Sequence, residues 1–140
     1  MENLWPSFET EEMQLPKTIL DEQAKIFNNN MQGLLECKIT VREQPSDMWV
    51  PLSMNRDEET IEKAQQLLMH IVAPYAGGYR LAVLVVTFQV TSVYPCTIDD
   101  CLGDTTCQVN DENEFKTTLK QILNSKKLIN AVNVLKSQSR

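Results

Sequence analysis

The longest apolar segment of the chain, in residues 80–91, predicts a central β-strand. Its β-branched and aromatic residues have few polar breaks, which is typical of a strand covered on one face and nearly covered on the other. A shorter apolar segment, residues 70–74, precedes it, and Gly77 and Gly78 lie between the two. Because glycine readily adopts the positive φ of a tight turn, these segments predict an antiparallel hairpin.

Two further segments predict strands beside this hairpin. Apolar and polar residues alternate in residues 34–43, which is typical of a strand with one face toward water. Residues 93–98 are also strand-like, but they include Pro95. Since proline has no N–H to donate to a neighbouring strand, we expect an edge, a strand start or a bulge at Pro95.

Helical periodicity dominates both ends of the chain. Pro16 suits the first position of a helix, and the apolar residues that follow at three- and four-residue spacing predict a helix over 16–29. In the last third, Asp111 and Glu114 have the spacing of a capping box, and Asn124-Ser125 separates two apolar stripes. The chain is therefore expected to end in a two-helix hairpin.

The middle of the chain is ambiguous. Residues 57–68 have the spacing of a helix with acidic residues in its first turn, whereas residues 66–72 fit either a helix or a strand. Residues 48–54 are apolar but contain Pro51, which predicts an irregular covering segment or a short edge strand.

These elements together predict an α+β fold. We expect a single, mainly antiparallel sheet of about four strands, covered by the N-terminal helix and by the C-terminal two-helix hairpin. With 140 residues the chain is long enough for one hydrophobic core, so residues 15–140 are expected to form one domain. Residues 1–14 are expected to form a flexible acidic arm. Its Trp5 and Phe8 either lie on the domain surface or dock on a partner.

The distribution of charge limits the classes of partner that the chain is expected to bind. The net charge is −9 over residues 1–110 and +3 over residues 111–140. Such an acidic body argues against nucleic-acid binding, whose affinity comes mainly from basic groups that displace counterions. No segment approaches the roughly 20 apolar residues of a membrane-spanning helix, and the first residues have no signal-peptide pattern. We therefore expect no membrane partner and a cytoplasmic protein with reduced cysteines.

Four stretches of the chain resemble a group of small uncharacterised bacterial or phage α+β proteins. They are LPKTILDEQAKIF, IVAPYAGGYRL, VYPCTI and ENEFKTTLKQILNSKKLINAVNVLKSQS. In that group a PKT-opened helix precedes an IVAP…YR hairpin, a YPxxI strand and a C-terminal helix pair. The resemblance implies a bacterial or phage origin and a shared fold, and it carries over no catalytic residue. The chain departs from the pattern at Cys96 and in CLGDTTC.

One segment, PCTIDDCLGDTTC, has the composition of a chemical site. It contains three cysteines and three aspartates, namely Cys96, Cys101, Cys107, Asp99, Asp100 and Asp104. Three thiolates and a fourth ligand could hold zinc, but the spacing is wider than that of most zinc knuckles, and the single histidine, His70, is distant in sequence. The aspartates also do not match a calcium loop. We therefore expect no cofactor and an acidic, solvated loop, with a zinc site at the three cysteines as the alternative.

The sequence contains no nucleophile elbow and no glycine-rich phosphate loop, which favours a non-enzymatic protein over an enzyme. We expect a non-enzymatic protein-binding module of a bacterial or phage cytoplasm, for example an immunity or antitoxin-like inhibitor. Its acidic face would bind a basic protein partner through Asp99, Asp100 and Asp104, with Trp5 and Phe8 as further contacts. The alternatives are a small enzyme acting through carboxylates, a thiol–zinc protein, and a subunit that forms a homo-oligomer through its basic C-terminal hairpin.

Overall fold

A computed structural model of the chain describes residues 1–8, 14–43 and 64–139. Within these ranges the chain forms one antiparallel sheet of five strands and three α-helices. The predicted α+β class is therefore confirmed, with one strand more than expected. In chain order the elements are α1 (Pro16–Met31), β1 (Glu36–Glu43), β2 (Ala64–Ala73), β3 (Tyr79–Gln89), β4 (Ser92–Asp100), β5 (Thr105–Val109), α2 (Glu112–Leu123) and α3 (Lys126–Gln138), with a 3-10 turn at Pro74–Ala76.

The strands lie side by side in the order in which they occur in the chain, each antiparallel to the next. Cross-strand partners share a face, so the register collects the core residues on one side of the sheet. The helices cover that side, and the buried cluster includes Leu20, Leu35, Cys37, Leu67, Met69, Ile71, Val83, Leu84, Val86, Cys96, Ile98, Val109, Phe115, Leu119 and Leu128. The central strands are thus tied to the helices by a single core.

The helix ends follow the local sequence signals. Pro16 occupies the first turn of α1, and the backbone turns left-handed after the helix at Gln32 and Gly33, with φ values of 49° and 89°. At the start of α2, the Asp111 carboxylate accepts from the Glu114 N–H at 2.8 Å. The Ser125 hydroxyl accepts from the Leu128 N–H at 3.3 Å and caps α3. The predicted N-terminal helix and C-terminal helix pair are confirmed, with α1 extending two residues further than expected.

The predictions of a turn at Gly77-Gly78 and of irregular pairing at Pro95 are also confirmed. Gly77 and Gly78 have φ values of 68° and 82° in the connection between β2 and β3. Pro95 follows a cis peptide bond, and the pairing of β3 with β4 is irregular between Thr87 and Gln89, opposite this part of β4. On its other side, the pairing with β5 ends at Cys96, so Pro95 lies where a donor is not needed.

Two predictions of secondary structure are wrong. The helix expected over 57–68 is contradicted in its described part, because Ala64–Ala73 is the strand β2. Leu67 and Leu68 fit a helical stripe, but β2 pairs with β1 on one side and β3 on the other, and this pairing overrides the local pattern. The acidic loop expected before α2 contains the strand β5, which pairs with β4. Residues 48–54 and 57–63, with their predicted elements, lie outside the described residues.

No helix in the described ranges is long and apolar enough to cross a membrane.

Candidate functional site

The aromatic residues of the N-terminal arm lie in the solvent. The side chains of Trp5 and Phe8 are 75% and 78% exposed, and their ring centroids lie 6.1 Å apart. Residues 1–8 form neither helix nor strand. Gln14, just before α1, is bonded to the sheet, because its carbonyl accepts from the Tyr94 hydroxyl at 3.2 Å.

The three aspartates of the predicted acidic face do not point the same way. Asp99 and Asp100 are consecutive residues of β4, so their side chains leave the sheet on opposite faces. The Asp99 carboxylate accepts from the Thr106 hydroxyl at 2.6 Å. The Asp100 carboxylate accepts from the N–H groups of Leu102 and Gly103 at 3.2 and 3.0 Å. Two of the three carboxylates therefore stabilise the β4–β5 hairpin itself.

The hairpin turn depends on the small size of one glycine. A Cβ atom at Gly103 would lie 2.5 Å from an Asp100 carboxylate oxygen, which is closer than real Cβ contacts. Asp104 follows with a φ of 55°, a left-handed conformation that aspartate tolerates better than most residues. Asp104 is exposed, and its backbone N–H donates to the Asp100 carbonyl at 2.8 Å.

The three candidate zinc ligands are divided between the interior and the surface. Cys96 is buried, and burial raises the pKa of its thiol to about 11, whereas Cys101 and Cys107 are exposed. Cys96 and Cys101 are five residues apart, which is about 16 Å along a strand, whereas two sulfurs on one zinc lie within about 4 Å. In the described residues no three Cys, His, Asp or Glu side chains form a group that could hold a metal.

His70 lies on the sheet face that points away from the helices. It pairs with Lys38 of β1 and Ala82 of β3 and is buried, and its Nδ1 atom has no hydrogen-bond partner in the described ranges. Burial, followed by the charges of Arg80 and Lys38, lowers the pKa of the imidazole. The neutral form of the imidazole is therefore favoured.

The structure reveals a cleft that the sequence did not indicate. It has a volume of about 370 Å³ and lies between α1 and α3, with the sheet as its floor. We call it the α1–α3 cleft. Its walls and floor consist of Gln23, Ile26, Phe27, Asn30, Cys37, Met69, Ile71, Val83, Leu123, Leu128, Ile129, Val132 and Asn133. Ile26 on one wall and Ile129 on the other are among the exposed large apolar side chains of the protein.

Hydrogen bonds fix both walls of the α1–α3 cleft to the sheet. On α1, the Asn28 side-chain amide donates to the Cys37 carbonyl at 3.1 Å and accepts from the Cys37 N–H at 2.6 Å. On α3, the Leu135 carbonyl accepts from the Tyr75 hydroxyl at 2.7 Å, which ties the helix to the turn between β2 and β3. Both helices that flank the cleft are thus anchored to the rest of the fold.

The chemistry of the cleft is that of a binding site without charge. Among the described residues that line it, the one titratable group is the Cys37 thiol, whose pKa burial raises to about 12, so the thiol is neutral at physiological pH. Three side-chain amides, from Gln23, Asn30 and Asn133, supply donors and acceptors. These described side chains can bury apolar groups and orient a backbone or amide group of a ligand.

Sequence analysis missed this cleft because its residues are of ordinary core types. Ile26 and Ile129 are the two residues whose pattern points to the cleft. Each lies beside the apolar stripe of its helix and widens that stripe on one side. The sequence-predicted residues lie elsewhere: none of Trp5, Phe8, Asp99, Asp100, Asp104, Cys96, Cys101 or Cys107 lines the cleft.

Comparison with models of protein families, with curated proteins and with solved structures gives no match to this chain.

Proposed function

We propose that the chain is a non-enzymatic protein-binding module whose partner inserts apolar side chains into the α1–α3 cleft. The observation that carries the proposal is an uncharged cleft with an exposed isoleucine on each wall, Ile26 and Ile129. Covering these side chains would remove apolar surface from water at about 25 cal/mol for each Å², which is the main favourable contribution in most protein association.

The shape of the surface favours a peptide-like segment over a small molecule. A second groove, of about 460 Å³, lies between α1 and α2 and shares Gln23 and Leu123 with the α1–α3 cleft. The two are therefore adjacent, and together they suit an extended or helical segment of a partner. Lys116 and Lys120 line the second groove together with one acid, Glu22, so the groove is basic by one charge. We therefore expect the segment to carry an acidic residue beside its apolar ones.

A second candidate surface, the β4–β5 hairpin, is favoured by its charge. Residues 99–114 contain six acidic residues and no basic one. This surface would suit a basic partner, as in an inhibitor of the immunity or antitoxin kind acting in a bacterial or phage cytoplasm. Its contribution would be mainly electrostatic and would weaken with salt, because exposed charges are screened beyond about 8 Å at physiological ionic strength.

Selection from a displayed library of random peptides against the immobilised protein tests the proposal. We expect enriched peptides with clustered apolar side chains, and we expect Ile129→Lys to weaken their binding at least tenfold, which is about 1.4 kcal/mol. Val134→Lys is the matched control, since Val134 is on the same helix, 48% exposed against 46% for Ile129, and does not line the cleft. The Val134→Lys protein should bind within about twofold of the unchanged chain.

Peptides that bind both variants equally would contradict a site at the α1–α3 cleft. Enrichment of basic peptides whose binding falls with salt and is lost in Asp104→Asn would instead favour the hairpin surface. Binding of an apolar dye that Ile129→Lys abolishes, without enrichment of any peptide, would indicate a small apolar ligand and would overturn the protein-binding proposal.

A further inference from the structure

Among the described strands, the two at the edges of the sheet differ in charge. At one edge, β1 carries Glu36, Lys38 and Arg42. At the other, β5 has the sequence TTCQV, with neither a charged residue nor a proline. Charged side chains and prolines on an edge strand oppose pairing with another chain, because incoming backbone would bury the charge or meet no donor. The edge at β1 is protected in this way, and the edge at β5 is not.

No described strand pairs with the outer side of β5. Four of its five side chains are exposed, from Thr105 to Gln108, and only Val109 is buried. The inner side of the strand pairs with β4, from Thr105 opposite Asp100 to Val109 opposite Cys96. In a strand, alternate residues direct their N–H and C=O groups to opposite sides, so β5 presents backbone donors and acceptors toward the solvent.

We propose that β5 pairs antiparallel with β5 of a second copy of this chain, which joins two five-stranded sheets into one across a two-fold axis. This surface is separate from the α1–α3 cleft and does not depend on the proposed function. A second copy is the occupant that fits, because an uncharged strand is complementary to itself, and a two-fold axis pairs the same surface of both copies.

The register of full overlap is compatible with the two-fold axis and pairs the most residues. Full overlap of the two five-residue strands places Cys107, the central residue, opposite its own copy, and Thr106 opposite Gln108 of the second copy. Residues directly opposite each other in an antiparallel pair have Cα atoms about 4.5–5.5 Å apart. That spacing is within reach of a disulfide, whose Cα atoms lie about 4.4–6.8 Å apart. Cys107 is therefore a reporter of this register.

Charges at the strand ends oppose the association. In the full-overlap register, Asp104 of one copy lies opposite Asn110 of the other and close to its Asp111. These like charges repel each other in low salt, and added salt screens them over about 10 Å. The dimer is therefore expected to strengthen as ionic strength rises.

The pairing is expected to be concentration-dependent. Stable protein interfaces bury about 1,200–2,000 Å², and a pair of five-residue strands with its flanking side chains lies at or below the low end of that range. We expect a dissociation constant in the range of roughly 1 µM to 1 mM.

Sedimentation of the full chain across that range of concentration, combined with thiol cross-linking, tests the proposal. We expect a monomer–dimer equilibrium, and mild oxidation with diamide should link Cys107 to Cys107 of the second copy. In that step two thiols form one S–S bond, and diamide accepts their two protons and two electrons. Cys107→Ser should remove the cross-link and keep the dimer, whereas Cys101→Ser should change neither.

Two further variants separate this edge from other surfaces. Cys107→Lys places like charges opposite each other and should raise the dissociation constant by about fivefold. The matched control is Thr40→Lys, at an exposed position of the other edge strand, which should leave association unchanged. Asp104→Asn should lower the dissociation constant and reduce its dependence on salt. A chain that stays monomeric at 1 mM would overturn the proposal. A dimer that Cys107→Lys does not weaken and that cross-links at another cysteine would also overturn it.

Discussion

The α1–α3 cleft and the β4–β5 hairpin are built in opposite ways. The hairpin collects three cysteines and three aspartates within 12 consecutive residues, Cys96 to Cys107. The cleft is lined by residues from six elements, between Gln23 and Asn133. In the hairpin, the carboxylates of Asp99 and Asp100 bond to groups of the hairpin itself. The conspicuous residues thus support local structure, while ordinary apolar residues form the candidate binding surface.

The largest expected difference between the two regions is in thiol reactivity. The thiolate is the reactive form of cysteine, and a thiol with a pKa of about 12, as burial gives Cys37 in the cleft, is ionised to about one part in 10,000 at pH 8. We expect a disulfide reagent to modify the exposed Cys107 of the folded protein at least about 1,000-fold faster than Cys37. Cys101 should react more slowly than Cys107, because partial burial and the charges of Asp100 and Asp99 raise the pKa of its thiol. Peptide mapping by mass spectrometry measures both rates.

The pH dependence sharpens this comparison. Because the pKa of Cys37 is raised, its rate should increase about tenfold for each pH unit up to about pH 12, as long as the fold persists. Full unfolding in denaturant should make all four cysteines react alike. Equal rates for Cys37 and Cys107 in the native protein would mean that the cleft floor is open to reagents.

The second difference is in stability. Leu128 is buried in the wall of the cleft, and Leu128→Ala is expected to cost about 2–5 kcal/mol of unfolding free energy, since it removes apolar contacts and leaves a void. In the hairpin, Cys107→Ala changes an exposed side chain and should cost less than about 0.5 kcal/mol. Urea denaturation monitored by circular dichroism measures both values.

Ile129→Ala controls for general effects on α3. Ile129 lies next to Leu128 in sequence but on the exposed rim, so its truncation should cost less than about 1 kcal/mol. If both leucine and isoleucine truncations cost the same, the distinction between the buried wall and the open rim would be wrong.

The smallest expected effect tests the role of the hairpin carboxylates. Asp100→Ala removes the acceptor of two backbone N–H groups and should cost about 1–2 kcal/mol. Asp104→Asn should change stability by less than about 0.5 kcal/mol, because asparagine also tolerates the left-handed φ of 55° at this position. Thermal unfolding of the two variants at matched concentration distinguishes them. If Asp100→Ala left the stability unchanged, the Asp100 carboxylate would not stabilise the hairpin and would be available to contact a partner.

Features that depend on neighbouring residues could be predicted from the sequence. The start of α1 at Pro16 and the cap at Asp111 are examples, because a helix end needs a side chain only three or four residues away. The same is true of the turn at Gly77 and Gly78, which requires a positive φ within a few residues of both strands.

Features that depend on distant pairing could not be predicted in the same way. Residues Ala64–Ala73 become a strand because they pair with β1 and β3, and the spacing of their apolar residues also fits a helix. The strand β5 was not predicted, because acidic residues flank it on both sides. The Gly103-Asp104 turn and the alternation of Cys107 with Val109 were weak indications of a strand. The same limit applies to the candidate site, whose residues the sequence did not single out.

The sequence by itself therefore determined the class of fold, the helices and their caps, and the turn at the central hairpin, because these follow from contacts within a few residues. Only the tertiary structure decided where apolar residues remain uncovered. Ile26 and Ile129 lie more than 100 positions apart and face one cleft because the sheet positions α1 and α3 beside each other. It also decided which edge strand lacks charge, since β5 is an edge only in the assembled order of the sheet.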